Sequence, residues 1–300
     1  MHRDLAAHRP EHHGPAHLTH KGQLGLSGIG ARVNARRSDP ESSKASELLK
    51  VISYALSVTE VTHDPALRDR LYQAYASQHA GCSGRKGTAL IYRRDIRPLL
   101  PLRSAGPVID IGCGQGELVK LLLADGYDAY GVDVSPEQVA IAHASGIKPV
   151  RHGDYRGALA ELQVQQLAAV TATDLLEHLT KDEALDAFDR IAEALAPGGV
   201  FVARVPNAIS PLGGHIRYGD FTHESSYTAR SVEQIAAASG FSSVAVQPCP
   251  PVAHGLVSAA RVAVWKPVSA LYKIALAAET GSLRGHIVTQ NLTFAARKAR

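Results

Sequence analysis

Gly112, Gly114 and Gly116 follow a run of β-favouring residues, Val108-Ile109-Asp110-Ile111, and precede Glu117-Leu-Val-Lys-Leu-Leu-Leu, which opens a helical pattern. The implied arrangement is a buried strand turning sharply into a helix. Glycines at alternate positions allow positive φ and let a ligand press directly on the backbone. Asp110 stands just before this loop, and an acid there suits a ligand carrying positive charge, such as an amino acid's ammonium. The spacing is Gly-x-Gly-x-Gly. It departs from the Gly-x-Gly-x-x-Gly that brings helix N–H groups onto a pyrophosphate.

Three further acids sit at the ends of strand-like runs. Asp133 closes Ala129-Tyr-Gly-Val132 and is followed by Val134, by Ser135 as a helix N-cap and by Pro136 as the first helical residue. An acid at that strand end is placed to accept hydrogen bonds from two ribose hydroxyls, the plainer alternative being a turn acid. Asp154, beside Tyr155, follows Lys148–His152, and Asp174-Leu175-Leu-Glu-His178 follows Leu167–Thr173. Strand after strand delivers an acid at the carboxyl edge, where open α/β sheets bind ligands.

These residues, VIDIGCGQG, YGVDVSPEQ, HGDY and TATDLLEHL…IAEALAPGGVFVARVPN, resemble the class I S-adenosylmethionine-dependent methyltransferases over roughly residues 85–250. The resemblance implies S-adenosyl-L-methionine as cofactor. Asp110 and the loop of Gly112, Gly114 and Gly116 would hold its methionine end. Asp133, with Val134, would take the ribose; Asp154, with Tyr155, would lie against the adenine; Asp174 and Leu175 would line the methionine wall. A shorter stretch, Tyr218-Gly-Asp220-Phe-Thr-His223-Glu-Ser-Ser-Tyr227, is similar to bacterial methyltransferases linked to polysaccharide and O-antigen synthesis.

A sulfonium methyl is already electrophilic, so positioning supplies most of the rate. A hydroxyl acceptor also needs its proton removed, and His178 is the first candidate base, His223 the second. Either histidine has a structural alternative, as a cap or a partner of a loop carbonyl. Asn207, His215, Arg217, Asp220 and Tyr227 lie on the long loop after strand five, which should choose the acceptor. Its polar contents favour a hydroxylated substrate over a flat apolar ring. Asp220 and His223 together offer a thin divalent-metal pairing, but ordinary loop hydrogen bonding is preferred and no metal is expected. The leading expectation is O-methylation of a sugar, nucleotide-sugar or polysaccharide. The alternatives are a quinone-like or other small hydroxyl or amine acceptor, or a cofactor-binding subunit without turnover.

The elements that must position these residues alternate strand and helix from Val108 onward. Strands are expected near 107–111, 128–133, 148–152, 168–174 and 199–206, and helices near 116–125, 136–145, 155–163 and 181–196. A helix at Ser231–Ser239 leads to a sixth strand, Ser243–Gln247, and His286–Ala296 alternates as a closing antiparallel strand. The expected fold is α/β: a Rossmann-like, doubly wound, seven-stranded sheet, mostly parallel. By the resemblance, strand seven lies between five and six. Residues 250–285 form a helical insertion. Val264, Val268, Leu271 and Ala275 mark one face, and Pro267 should break or kink the helix. It could serve a homodimer, line the acceptor pocket, or touch a membrane surface through 256–276, a structural or oligomer role being preferred.

Upstream, 45–106 reads as a helical cap, with helices over 47–61 and from Asp64-Pro65 towards Gly81; Tyr72 and Tyr75 are either a lid or packing aromatics. Residues 1–44 read as a disordered tail. Its His2, His8, His12, His13, His17 and His20 could bind metal, though a solvated tail is the simpler reading. Met1 is the only methionine and the recognisable fold begins far downstream, so translation is expected to start later. The chain has 300 residues, 45% of them hydrophobic, enough for one domain plus appendages. A net charge of +4 from nearly balanced acids and bases gives no reason to expect nucleic acid. Cys82, Cys113 and Cys249 lack metal-ligand spacing and suit a reducing cytoplasm. There is no apolar run of about 18 residues and no secretory h-region, so no transmembrane segment is expected.

Overall fold

A computed structural model describes residues 71–72, 85–162, 165–282 and 284–300. The tail 1–44, the helix expected at 47–61, and Tyr75 with most of the second helix lie outside the described residues. Arg85–Ile91 forms α1, which runs on through a π turn at Tyr92–Ile96. Strand and helix then alternate: β1 (Val108–Ile111), α2 (Glu117–Ala124), β2 (Ala129–Asp133), α3 (Pro136–Ala144), β3 (Val150–His152), α4 (Tyr155–Ala160), β4 (Leu167–Thr173), α5 (Lys181–Ala194) and β5 (Leu195–Pro206). After these come α6 (Gly213–Arg217), α7 (Ala229–Ala238), β6 (Ser243–Pro248), α8 (Leu256–Thr280) and β7 (Asn291–Arg297).

The seven strands make one sheet in the order β3-β2-β1-β4-β5-β7-β6. β1 to β5 run parallel and β7 is antiparallel to both β5 and β6, as expected. β1 is buried throughout and β4 nearly so, because helices cover both faces. Strand order reverses at β1 and β4, and their carboxyl ends flank the crevice in which such sheets bind ligands. Below that edge, Phe188 of α5 stacks on Phe294 of β7 at 5.9 Å, while Phe201 meets Phe294 edge-on at 5.3 Å. Each such side chain contributes on the order of 1.5–3 kcal/mol by leaving water.

Three elements differ from the sequence reading. β5 starts at Leu195 and not near 199, because Ala196-Pro-Gly-Gly199 forms a bulge within the strand. The pairing jumps from Leu167↔Leu195 to Ala169↔Val200, and Gly198 takes φ 77°. β7 starts at Asn291, since Ile287 and Thr289 direct their carbonyls to the Asn207 side chain and not to a ladder. α8 runs past Pro267 without ending, and the expected face points outward: Val264 is 64% and Leu271 67% exposed. Its less exposed residues include Ser258, Val262, Trp265, Val268, Ser269, Tyr272 and Leu276, so Val268 departs from the rest of the expected face. No helix among the described residues is long and apolar enough to cross a membrane.

Candidate functional site

The glycine loop folds as its spacing requires. Gly112, Gly114 and Gly116 have φ of 67°, 53° and 74°, and Gly116 caps the start of α2. A Cβ on Gly112 would lie 2.9 Å from Leu175 Cδ1, so the loop and the chain leaving β4 are in close contact. Gly114, by contrast, has nothing within 4 Å of that position and presents bare backbone. Asp133 holds the loop in place: its carboxylate accepts from Gly114 N at 2.7 Å and from Ser135 N at 2.8 Å. Burial raises the Asp133 carboxyl above its ordinary range, and those two N–H groups oppose the shift.

Asp110 lies deeper, 2% exposed, and accepts a hydrogen bond from Thr171 Oγ1. Burial pushes its carboxyl up to about 7, with Thr171 opposing and the Asp133 charge adding.

A cavity of about 600 Å³ opens beside the loop. Gly112, Val134, Asp154, Tyr155 and Leu175 line it, as the resemblance implies, together with Val132, Gly153, Tyr72 and His178. Asp110, Gly114, Gly116 and Asp133 adjoin these residues but are not among those that line the cavity. Asp154 also caps α4 by accepting from Gly157 N at 2.8 Å, and the Tyr155 hydroxyl donates to α5. Asp174 turns elsewhere. It pairs with Arg204, and its φ of 56° is a strained conformation for a residue with a side chain.

One wall of the cavity runs through Leu175, His178 and Leu179, and the loop after β5 packs on the turn Leu176–His178 without itself lining the cavity. Every polar loop residue singled out for substrate contact, His215 apart, instead braces this loop. Asn207 is 1% exposed; its Nδ2 donates to the Ile287 and Thr289 carbonyls and its Oδ1 accepts from Ile209 N. Arg217 donates to the His223 and Glu224 carbonyls. Tyr227 donates to Leu176 O at 2.9 Å, and burial pushes its phenol up to about 12. The Glu177 carbonyl accepts from Glu224 N and Ser225 N, which fastens the loop to the turn. Its exposed large apolar side chains are Tyr218, at 81%, and Phe221, at 94%, and the polar His215 and Glu224 are exposed beside them.

Of the two candidate bases His178 lines the cavity, and His223 lies against it. Their rings meet edge to face, 4.6 Å between centroids, and Tyr72 lies 6.2 Å from His178. His178 Nδ1 is 2.8 Å from Thr222 Oγ1, which itself donates to Asp220 Oδ1 at 2.7 Å. The hydroxyl therefore accepts from His178, so Nδ1 carries the proton of the neutral ring and Nε2 its lone pair. His223 Nδ1 likewise donates to Ile216 O, at 3.0 Å. Glu177 adds a residue the sequence reading missed. It is 1% exposed and groups with His178 and His223, whereas Asp220, the expected partner of His223, is engaged by Thr222. Burial holds the Glu177 carboxyl well above its usual range; the Asp174 and Asp220 charges add and Arg204 opposes. Its adjacency to His178 after β4 was the available signal.

Comparison with known proteins matches residues 85–246 to a family described as a methyltransferase domain. Among curated relatives, the ubiquinone biosynthesis O-methyltransferase of Methylobacterium nodulans is 35% identical over 120 residues, covering 39% of this chain and 47% of the relative. That of Xylella fastidiosa is 32% identical over 120 residues, covering 38% and 48%. The chain thus spans about half the length of these relatives. Among solved structures, a SAM-dependent methyltransferase from Archaeoglobus fulgidus superposes with a TM-score of 0.58 at 20% identity, covering 75% of this chain and 99% of that one. The phosphoethanolamine N-methyltransferase 2 of Haemonchus contortus, in complex with S-adenosyl-L-methionine, superposes at 0.50 and 20% identity, covering 82% and 59%.

Proposed function

The chain belongs to the methyltransferase-domain family and uses S-adenosyl-L-methionine, and from that premise we propose that it methylates a ring hydroxyl of a quinone-like acceptor. The observation that carries this reading is the loop after β5. Its Asn207, Arg217, Asp220 and Tyr227 are engaged within the protein, and the large apolar side chains it offers outward are Tyr218 and Phe221. The sequence reading favoured a sugar because the loop's contents are polar and a stretch of it is similar to polysaccharide-linked methyltransferases. The activity named for the curated relatives supports the same choice.

The cofactor supplies an electrophilic methyl group. The residues present fit it. Gly114 offers bare backbone, Asp110 a buried carboxyl suited to the methionine ammonium, Asp133 lone pairs for the ribose, and Asp154 with Tyr155 the adenine wall. His178 holds a lone pair at Nε2 because Asp220, through Thr222, fixes the proton on Nδ1. A phenolic hydroxyl, with a pKa of about 10, needs such a group beside it to react at neutral pH. His223 borders His178 and supports it from the loop.

The test is a radiolabelled methyl-transfer assay with a short-chain prenylated catechol, a nucleotide-sugar panel and a phosphoethanolamine control. Labelled catechol ether is expected. Transfer to the sugars alone would overturn the acceptor class.

A further inference from the structure

We infer that α8 docks on an anionic lipid surface, with its outward apolar row against the boundary between headgroups and acyl chains. The inference goes beyond the acceptor reading and does not depend on it.

α8 is long and barely covered. Of its 25 residues only Ser258 is buried. Leu256, at 93%, and Val257, at 79%, join Val264, Leu271 and Ile274 among the exposed large apolar side chains. Leu256, Ala260, Val264, Pro267, Leu271 and Ile274 follow one another at three- and four-residue steps, so they share one side of the helix. All six are exposed, and no polar side chain interrupts the row. It lies opposite Ser258, Trp265, Ser269 and Leu276, which are less exposed. Single exposed apolar residues are ordinary. A continuous row along a helix of about 37 Å marks a contact surface.

The charges select what makes that contact. Arg261 on one flank of the row and Lys266 and Lys273 on the other are exposed, and no Asp or Glu occurs between Leu256 and Ala278. Cations bordering an apolar face match lipid phosphates above acyl chains: their stems lie along the boundary while their heads stay with the phosphates. The same charges disfavour a second copy of the chain, because pairing two such rows brings Lys and Arg on the flanks together. α8 is not apolar enough to cross a bilayer, so it lies along the surface. It is inserted between β6 and β7, and its outward row can be altered without touching β1, β4 or the glycine loop.

The experiment is co-sedimentation of the full chain with vesicles of phosphatidylglycerol and phosphatidylcholine in equal parts, and with phosphatidylcholine alone. Energy transfer from Trp265, the chain's one tryptophan and a residue of α8, to a dansyl-labelled headgroup locates the contact. Binding to the anionic vesicles with transfer from Trp265 is expected, and weaker binding to phosphatidylcholine. Lys266→Gln/Lys273→Gln should weaken the anionic binding by about five-fold per cation, roughly 25-fold for the pair. Val264→Gln/Leu271→Gln/Ile274→Gln should weaken binding to both vesicles at least about tenfold. Should the triple variant melt early, the lysine pair decides alone. No binding by the wild type overturns the inference. So does binding that neither variant weakens, which would assign the contact to the basic residues 1–44. A wild type that sediments as a dimer, is dissociated by Leu271→Gln and ignores vesicles would give the face to a second copy and overturn the inference as well.

Discussion

The carboxyl of Asp110 accepts a hydrogen bond from Thr171 Oγ1 at 2.7 Å, across adjacent strands and out of reach of water. One neutral donor does not compensate a buried negative charge, so the carboxyl titrates near 7. Below the unfolded value of about 3.9 both states are protonated and this group's contribution to stability is fully present. Stability then falls as pH rises through the window up to about 7, because the folded protein keeps the proton longer. The cofactor's ammonium favours the ionised form, so binding has the opposite slope. Cofactor affinity measured by calorimetry should rise with pH and level off above about 7, at least tenfold weaker and pH-independent in Asp110→Asn. A flat wild-type profile would remove Asp110 from the ammonium site.

Gly112 and Leu175 bind two strand ends together. Gly112→Ala places a Cβ 2.9 Å from Leu175 Cδ1 at a φ of 67°. Strain and overpacking together should cost about 2–4 kcal/mol in denaturant unfolding. In a Leu175→Ala background the penalty should shrink to the backbone part alone. Equal penalties in both backgrounds would mean that the contact is relieved by other means.

Thr222 positions His178 without touching the cavity wall, so Thr222→Val should act through the imidazole. Turnover is expected to fall about 10–100-fold, with the acidic limb of the pH–rate profile displaced and cofactor affinity near wild type. Thr222→Ser should restore most of it. Loss of cofactor binding to the same degree would instead show a general loosening of the loop.

The glycine loop, Asp133 and the strand–helix alternation were legible because their signals are local: turn glycines, a capping Ser135 and β-branched runs specify backbone within a few residues. Position alone also singled out His178, which lines the cavity. What stayed hidden depends on distant partners. Asn207 reads as a polar loop residue until the carbonyls of Ile287 and Thr289 arrive beside it, and Glu177 carries no signal of burial until the returning loop bonds to its carbonyl. The outward row of α8 shows the same limit: its periodicity specifies a face, but not the direction in which that face points. Pro197 and Gly198 gave a punctuation signal that fits a turn and a bulge equally well.

The chain enters and leaves the region above β5 at almost the same point. Ala208 N donates to Tyr227 O at 2.8 Å, and Tyr227 N to Pro206 O at 2.9 Å, a short parallel seam that closes the neck of the excursion. Closure at the neck is independent of what hangs beyond it, and lengthening a closed excursion costs only about 0.6 kcal/mol per doubling. The residues nearest the tip, around Leu212 and Gly214, can therefore be exchanged or extended while the histidines stay moored. Acceptor shape and reactive machinery are thus separately adjustable in one and the same stretch of chain.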